Sequence, residues 1–272
     1  PVLRPLQRKG RVNFNCLLNE LEPGRTDVLS DDMVILSLQY STQWDGLAHV
    51  GALFDANGDG LPEPLYYNGF AAGTDIVGPA DVSGTGIPAR LDDNASTSCA
   101  KALGIEGMAR NGVQGRGVMV DLRAHFGDAR TVVGYEQLMQ AIAADGVQIE
   151  PGDMLCLHTG FAQRVLDMHK NPDPEVLEHA CAVLDGRDAR LLQWITDSQI
   201  AVIATDNYAV EAFPARPGAA CCAALPLHEH CLFKLGVHLG ELWHLTPLAH
   251  WLREHGRHRF LLTAPPLNLP GA

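Results

Sequence analysis

Short apolar runs alternate along this chain with segments in which apolar residues recur at helical spacing. Apolar, β-prone runs bounded by turn residues predict buried strands at 33–38, 117–122, 154–158 and 200–204. Helical spacing predicts helices at 135–144 and 189–195, and one or two helices over 226–251, broken around Gly236 and Gly240. Strands that alternate with helices are typical of the α/β class. We therefore expect an α/β fold, a single domain over 1–272 with a mixed β-sheet or barrel-like core flanked by helices.

The composition of the chain excludes some classes of binding partner. The chain has 272 residues, 46% of them hydrophobic, and a net charge of −12. The apolar share argues against disorder, and the acidic balance argues against a nucleic-acid or anionic membrane surface. No apolar run reaches the roughly 20 residues that span a bilayer. We expect a small-molecule substrate, with no nucleic acid and no membrane as partner.

Cysteine usage bears on the compartment. The seven cysteines form no Cys-x-x-Cys pair and stand mostly in apolar stretches, which is typical of reduced, buried thiols. The first residues also lack a basic segment followed by an apolar run, so no signal peptide is visible. We expect a cytoplasmic protein.

Candidate chemistry is densest in the polar segment 39–49. In an extended chain, alternate side chains share a face, so Gln39, Gln43 and Asp45 would point the same way. Gly46 lets the chain turn, and His49 follows it. An aspartate and a histidine close together can bind a divalent metal or transfer protons. Taken alone, such residues are more often the solvated end of a strand.

Several segments in sequence order resemble the cyclase/kynurenine formamidase-like family. The family's metal-binding pattern is His-x-Gly-Thr-His-x-Asp-x-Pro-x-His, and its polar positions fall here on Gln39, Thr42, Gln43, Asp45 and His49. Further resemblances lie at 67–69, 109–121, 152–161 and 226–243. Several weak motifs in the right order are more specific than any one of them. The resemblance implies a swivelling β/β/α fold and a homo-oligomer, a dimer or tetramer, with the site at a subunit contact.

The resemblance also implies a metal-dependent hydrolase. Family members with the full motif use zinc or manganese to cleave amide bonds with a metal-activated water. Carried over to this chain, Asp45, His228 and Glu241 would hold the ion, and His49 would transfer a proton. Gln39 and Gln43 stand where the family has histidine ligands. An amide oxygen is a weaker ligand than imidazole, so both glutamines are expected as weak ligands or as partners of the ligands. A harder ion such as Mn²⁺ or Mg²⁺ suits the set better than Zn²⁺.

These residues give a leading hypothesis and two alternatives. The leading one is hydrolysis of an amide, possibly a cyclic amide or aryl formamide, or of a lactone in a small molecule. Trp44, Tyr67 and Phe161 would wall its pocket, although core packing explains each of them equally well. One alternative is a metal-free lyase or isomerase that uses His49 and Asp45. The other is a catalytically degenerate family member that only binds a small ligand.

Overall fold

A computed structural model describes residues 2–8, 10–79 and 98–272, which form two compact units, 1–41 and 42–272. In the smaller unit, short antiparallel ladders pair β1 with β6, β2 with β3, and β4 with β5. These strands are β1 (Val2–Pro5), β2 (Gln7–Arg8), β3 (Arg11–Val12), β4 (Cys16–Leu17), β5 (Val28–Leu29) and β6 (Asp32–Ile35). Two 3-10 turns complete the unit, at Leu18–Glu20 and Leu38–Tyr40.

The larger unit contains the other strands and all the α-helices of the described residues. Its strands are β7 (Gln43–Asp45), β8 (Ala52–Phe54), β9 (Glu63–Leu65), β10 (Ile76–Val77), β11 (Cys99–Ala100), β12 (Gln114–Asp121), β13 (Thr131–Val133), β14 (Met154–His158), β15 (Ala182–Leu184), β16 (Val202–Thr205), β17 (His238–Glu241) and β18 (Arg259–Thr263). Its helices are α1 (Glu106–Asn111), α2 (Leu122–Phe126), α3 (Tyr135–Ala144), α4 (Phe161–Asp167), α5 (Pro174–Glu178), α6 (Ala189–Ser198), α7 (Pro226–His228) and α8 (Thr246–Glu254). A 3-10 turn spans Tyr67–Gly69, and α7 continues as a π-helix over Glu229–Leu235.

A six-stranded mixed sheet in the order β18-β12-β14-β16-β17-β7 forms the centre of this unit. Its four inner strands are parallel, and β18 and β7 are added antiparallel at the two edges. In the register, Val118 lies opposite Leu155, which lies opposite Ile203, so apolar residues cross the middle of the sheet. Because the four inner strands are parallel, their carboxyl ends lie at the same end of the sheet. Each of these strands ends in a polar residue: Asp121, His158, Thr205 and Glu241.

Helices cover both faces of the sheet. Val118 of β12 points to the face that packs against α3 and α6, whereas its neighbour Met119 points to the face that packs against α8. With both faces covered, all five residues of β14 are buried. Packing on both faces therefore holds the inner strands in place. The side chains at the carboxyl ends of these strands start from a rigid backbone.

The predicted α/β class with a mixed sheet flanked by helices is confirmed. The strand at 154–158 and the helix at 135–144 have the predicted bounds, and the strands predicted at 117–122 and 200–204 and the helix at 189–195 are found with shifted ends. The strand predicted at 33–38 is shorter and ends at Ile35. The single domain over 1–272 stays a prediction. No helix in the described part of the chain has the length and apolar character to cross a membrane.

The predicted break around Gly236 and Gly240 is found between two helical segments, and a strand that was not predicted occupies it. Residues 238–241 form β17, an inner strand of the sheet, between the π-helix and α8. Gly236, in a left-handed conformation at φ 70°, ends the π-helix, and Gly240 packs its backbone against the Trp243 ring. The strand was missed because only Leu239 gives it an apolar signal.

Polar side chains also meet at the carboxyl ends of β12 and β14, on the face covered by α8. His158 is fully buried, and its Nδ1 lies 2.7 Å from Asp121 Oδ1. Its Nε2 lies 3.0 Å from the Thr246 hydroxyl at the start of α8. Both ring nitrogens thus have partners, which is what a buried imidazole requires.

We expect Asp206→Ala to destabilise the protein by about 3–5 kcal/mol in urea unfolding. The buried Asp206 carboxylate accepts hydrogen bonds from Thr159 N, Thr159 Oγ1 and Gly160 N, each at 2.7 Å, and its loss leaves these donors unpaired. The exposed Asp197 of α6 is the matched control, since Asp197→Ala should change the stability by at most about 0.5 kcal/mol. Equal effects of the two changes would contradict the expectation.

Candidate metal centre

The antiparallel pairing of β7 with β17 places three polar side chains on one face of the sheet. Gln43 lies opposite Glu241, and Asp45 lies opposite Leu239. Successive residues of a strand point to opposite faces, so Gln43 and Asp45 share a face and Trp44 points away. All three polar side chains, Gln43, Asp45 and Glu241, are buried. Two carboxylates are therefore enclosed side by side at the end of the sheet.

His228, the last residue of α7, adds its imidazole to these carboxylates. Its Nε2 lies 3.6 Å from Asp45 Oδ2 and 3.3 Å from Glu241 Oε1. One ligand atom from each of the three residues lies within 4.8 Å of the others. The imidazole is as buried as the carboxylates, with a residue exposure of 2%. The structure thus brings together the three residues that the resemblance assigned to a metal.

The Gln43 amide links the two carboxylates. Its Nε2 donates to Asp45 Oδ1 at 3.3 Å and to Glu241 Oε2 at 3.1 Å. Because ionised carboxylate oxygens only accept, the nitrogen of this amide has to face them. The other two oxygens, Asp45 Oδ2 and Glu241 Oε1, are buried and accept no hydrogen bond within the described residues. They face His228 Nε2, and these three atoms are a donor set that fits a divalent cation.

The charge balance of the cluster also favours a cation. Burial by itself lowers the pKa of His228, but the carboxylates of Asp45, Glu211 and Glu241 raise this pKa to about 11. Burial raises the pKa of Glu241 to about 7, and the charge of Asp45 adds to that rise. Buried carboxylates are costly unless a positive charge compensates them. A metal ion is one such charge, and the proton on His228 is another.

Glu211 is a residue of this cluster that sequence reasoning missed. Its side chain is fully buried, and its Oε1 lies 2.8 Å from His228 Nδ1. Both carboxylate oxygens also accept backbone N–H groups, those of Leu227 at 3.0 Å and His228 at 2.9 Å. A signal existed in the sequence, since Glu211 is the one charged residue within the apolar run 209–213. A glutamate in such a run is rarely buried without a partner.

The backbone next to two of these carboxylates is strained. Val210, just before Glu211, has φ 52°, and Leu242, just after Glu241, has φ 54°. A left-handed conformation is uncommon for any residue with a side chain, and it is a clear outlier for a β-branched one. Strain of this kind persists where the surrounding structure holds it and is frequent at functional sites.

His49 lies at the solvent side of the cluster. Its side chain is 34% exposed, and its Nε2 lies 3.9 Å from Asp45 Oδ1. A turn begins at Gly46, whose carbonyl accepts the His49 N–H at 3.0 Å, as the sequence predicted for this glycine. The imidazole ring centre is 6.4 Å from that of His228. His49 is thus next to Asp45 and in contact with solvent at the same time.

The remaining predicted site residues are Gln39, Trp44, Tyr67 and Phe161. Gln39 belongs to the smaller unit, where its side chain is exposed in the turn Leu38–Tyr40, and its role as a ligand stays a prediction. Trp44 packs edge-on against Trp243 and donates to Ala264 O, on the sheet face opposite Asp45.

Phe161 packs in a core cluster, and Tyr67 packs against the end of the π-helix. Phe161 is buried with Ala180 and Cys181. Tyr67 packs closely against Gly236, the residue that ends the π-helix following His228. Of the three predicted pocket residues, Tyr67 thus contacts the segment that carries a cluster residue, whereas Trp44 and Phe161 lie in core clusters.

Comparisons with known proteins agree with this architecture. The family model described as "Putative cyclase" matches residues 17–212, a range that includes Asp45 and Glu211. The crystal structure of a novel cyclase is similar over 93% of this chain and 72% of that chain, with 27% identity and a TM-score of 0.64. Comparison with curated protein sequences gives no match.

Two further solved structures are more distant. A potential metal-dependent hydrolase with cyclase activity has 16% identity and a TM-score of 0.44, over 90% of this chain and 77% of that chain. Isatin hydrolase A from Labrenzia aggregata, bound to benzyl benzoate, has 13% identity and a TM-score of 0.45, over 88% of this chain and 84% of that chain. At these values neither structure informs the chemistry of this chain.

We expect Gln43→Leu to destabilise the metal-free protein by about 2–4 kcal/mol, measured by urea unfolding in EDTA. The change removes the donor that holds Asp45 Oδ1 and Glu241 Oε2 together. Gln193→Leu is the control, because the exposed Gln193 amide donates only to Asp197 along α6 and its loss should cost at most about 0.5 kcal/mol. A Gln43→Leu protein as stable as the wild type would show that the amide does not stabilise the carboxylate pair.

Proposed function

This chain belongs to the cyclase family, and from that premise we propose that it is a hydrolase for an amide or lactone bond in a small molecule. The observation that carries the proposal is the buried cluster of Asp45, His228 and Glu241. Two buried oxygens of this cluster, Asp45 Oδ2 and Glu241 Oε1, accept no hydrogen bond from the described residues. Such buried atoms are costly to maintain and are frequent where a protein binds or reacts. Among amides, an aryl formamide or a cyclic amide is the class that we favour.

We propose that Asp45, His228 and Glu241 hold one divalent cation. Two carboxylate oxygens and one imidazole nitrogen form a mixed donor set in which oxygen predominates, which suits Mn²⁺ better than Zn²⁺. Such an ion supplies a Lewis acid, which lowers the pKa of water and polarises a carbonyl group. The Gln43 amide presents its nitrogen to the carboxylates, so we assign it to holding the ligands in place.

We propose His49 as the residue that transfers a proton to the leaving group. Its contact with both Asp45 and solvent supports this role, because a proton-transfer group must reach the substrate and exchange protons with water. The Asp45 carboxylate, 3.9 Å away, is close enough to stabilise a positive charge on this imidazole. A metal-free lyase or isomerase would use the same pair, so measurements of bound metal separate that alternative from the hydrolase.

We expect purified protein to contain about one Mn²⁺ or Zn²⁺ per chain, measured by elemental analysis, because the donor atoms form a single cluster. After EDTA treatment, adding either ion at about 100 times its Kd should raise the Tm by about 5 °C or more. Glu241→Gln should abolish this rise. Glu229→Gln should not, since Glu229 pairs with Lys234 on the surface of the π-helix. The metal-hydrolase proposal fails if no ion co-purifies and neither ion changes the Tm or the activity.

We expect His49→Ala to lower the turnover of the best substrate, found in a screen of formamides, cyclic imides and lactones, by about 10²–10⁴-fold. The change should leave ion affinity and Tm close to wild type, because the side chain lies at the solvent side of the cluster. His255→Ala, at an exposed position after α8, is the control and should retain full activity. An unchanged rate in His49→Ala would remove His49 from the mechanism. A wild-type protein with no turnover on any substrate of the panel would favour a ligand-binding role.

A further inference from the structure

We propose that Glu211 is a positioning residue that presets His228 as a ligand, and this inference rests on the cation of the proposed function. The carboxylate of Glu211 does not face the cluster of donor atoms. It lies behind the imidazole and binds the ring nitrogen that points away from Asp45 and Glu241. Within the described residues, its hydrogen bonds reach the three donor residues only at His228, through the ring and the backbone of that residue and the N–H of Leu227.

The first step of the argument is the tautomer of His228. Because an ionised carboxylate can only accept, the 2.8 Å contact with Glu211 Oε1 places a proton on Nδ1. As a metal ligand the imidazole has to be neutral and keep one proton, so with that proton on Nδ1 the lone pair is on Nε2. That nitrogen lies 3.6 Å from Asp45 Oδ2 and 3.3 Å from Glu241 Oε1. Glu211 thus selects the tautomer that can donate a lone pair to a cation between these oxygens.

The second step is the orientation of the helix that carries His228. Glu211 accepts the backbone N–H groups of Leu227 and His228 as well as the imidazole proton. These N–H groups belong to the first turn of α7, where no residue within the helix can accept them. One carboxylate therefore fixes both the backbone and the ring of the same residue, which leaves the imidazole little freedom to turn.

The third step is that Glu211 is itself held firmly. Asn207 Oδ1 accepts the N–H groups of Ala209 and Val210, and Val210 adopts its left-handed conformation directly before Glu211. Across from it, a Cβ atom at position 186 would clash with Glu211 Oε2. Only glycine at position 186 leaves room for the carboxylate. The surroundings thus define one position for Glu211, which is what a positioning role requires.

The test is Glu211→Gln, which keeps the size of the side chain and removes its charge. We expect its affinity for Mn²⁺ and Zn²⁺, measured by titration calorimetry, to fall about 10–100-fold. In the Zn²⁺-loaded protein with ¹⁵N-labelled histidine, NMR should show Nδ1 of His228 protonated in the wild type and this signal altered in the variant. A Tm in EDTA close to that of the wild type shows that the fold is retained. Glu229→Gln, next to His228 but outside the contact, should behave as wild type in every measurement.

A second variant tests the same contact in case Glu211→Gln does not fold. Gly186→Ala keeps Glu211 but places a methyl group against its carboxylate and against Pro226 of α7. Both contacts act on the position of His228, so this variant should weaken ion binding in the same range. If the wild type binds Mn²⁺ or Zn²⁺ and both variants bind it equally well, with the Nδ1 signal unchanged, the positioning role is overturned and the metal site stands. A wild type that binds neither ion overturns the metal site and the positioning role together.

Discussion

The pairing of the edge strand β7 with β17 is the contact on which the candidate metal centre depends. It joins residues 198 positions apart, Gln43 and Glu241, and it places Asp45 next to them on the same face. Without this pairing the two carboxylates would be separate and hydrated. With it, they lie in a protein interior where each needs a positive or hydrogen-bonding partner. The long-range register of a three-residue strand therefore decides whether this chain has a site at all.

Three side chains surround the two buried carboxylates: the amide of Gln43, the imidazole of His228 and the carboxylate of Glu211. The Gln43 amide donates to one oxygen of Asp45 and one oxygen of Glu241. The imidazole of His228 lies next to the other oxygen of each carboxylate. Behind that imidazole lies a further carboxylate, Glu211, and burial and charge together leave the pKa of Glu241 at about 7 and that of His228 at about 11. A cluster with more carboxylates than cations is poorly suited to stabilise a fold by itself. The arrangement suits the binding of a positively charged ligand better than the stabilisation of the fold.

Much of the fold could be predicted from the sequence, because β14 and α3 have strong apolar patterns that depend on local residues alone. β17 could not, since its His238, Gly240 and Glu241 give no strand signal, and only the neighbouring strands reveal it. For the site, motif order joined Asp45, His228 and Glu241 correctly into one cluster. Strand alternation places Trp44 on the sheet face opposite Asp45, and its role as a pocket residue stays a prediction. Glu211 lies outside the motifs, and its role depends on a contact that no local pattern encodes.

The shortness of β7 has a consequence for kinetics. Edge segments open at a lower free-energy cost than the centre of a sheet, and β7 has only three residues and one neighbouring strand in this sheet. When β7 detaches, Asp45 leaves with it, whereas His228 and Glu241 remain attached to the core. An ion held by Asp45, His228 and Glu241 would lose one of its three ligands in that opening. Amide hydrogen exchange in β7 would report the same opening, so one local motion would link the lifetime of the bound ion to the mobility of the sheet edge.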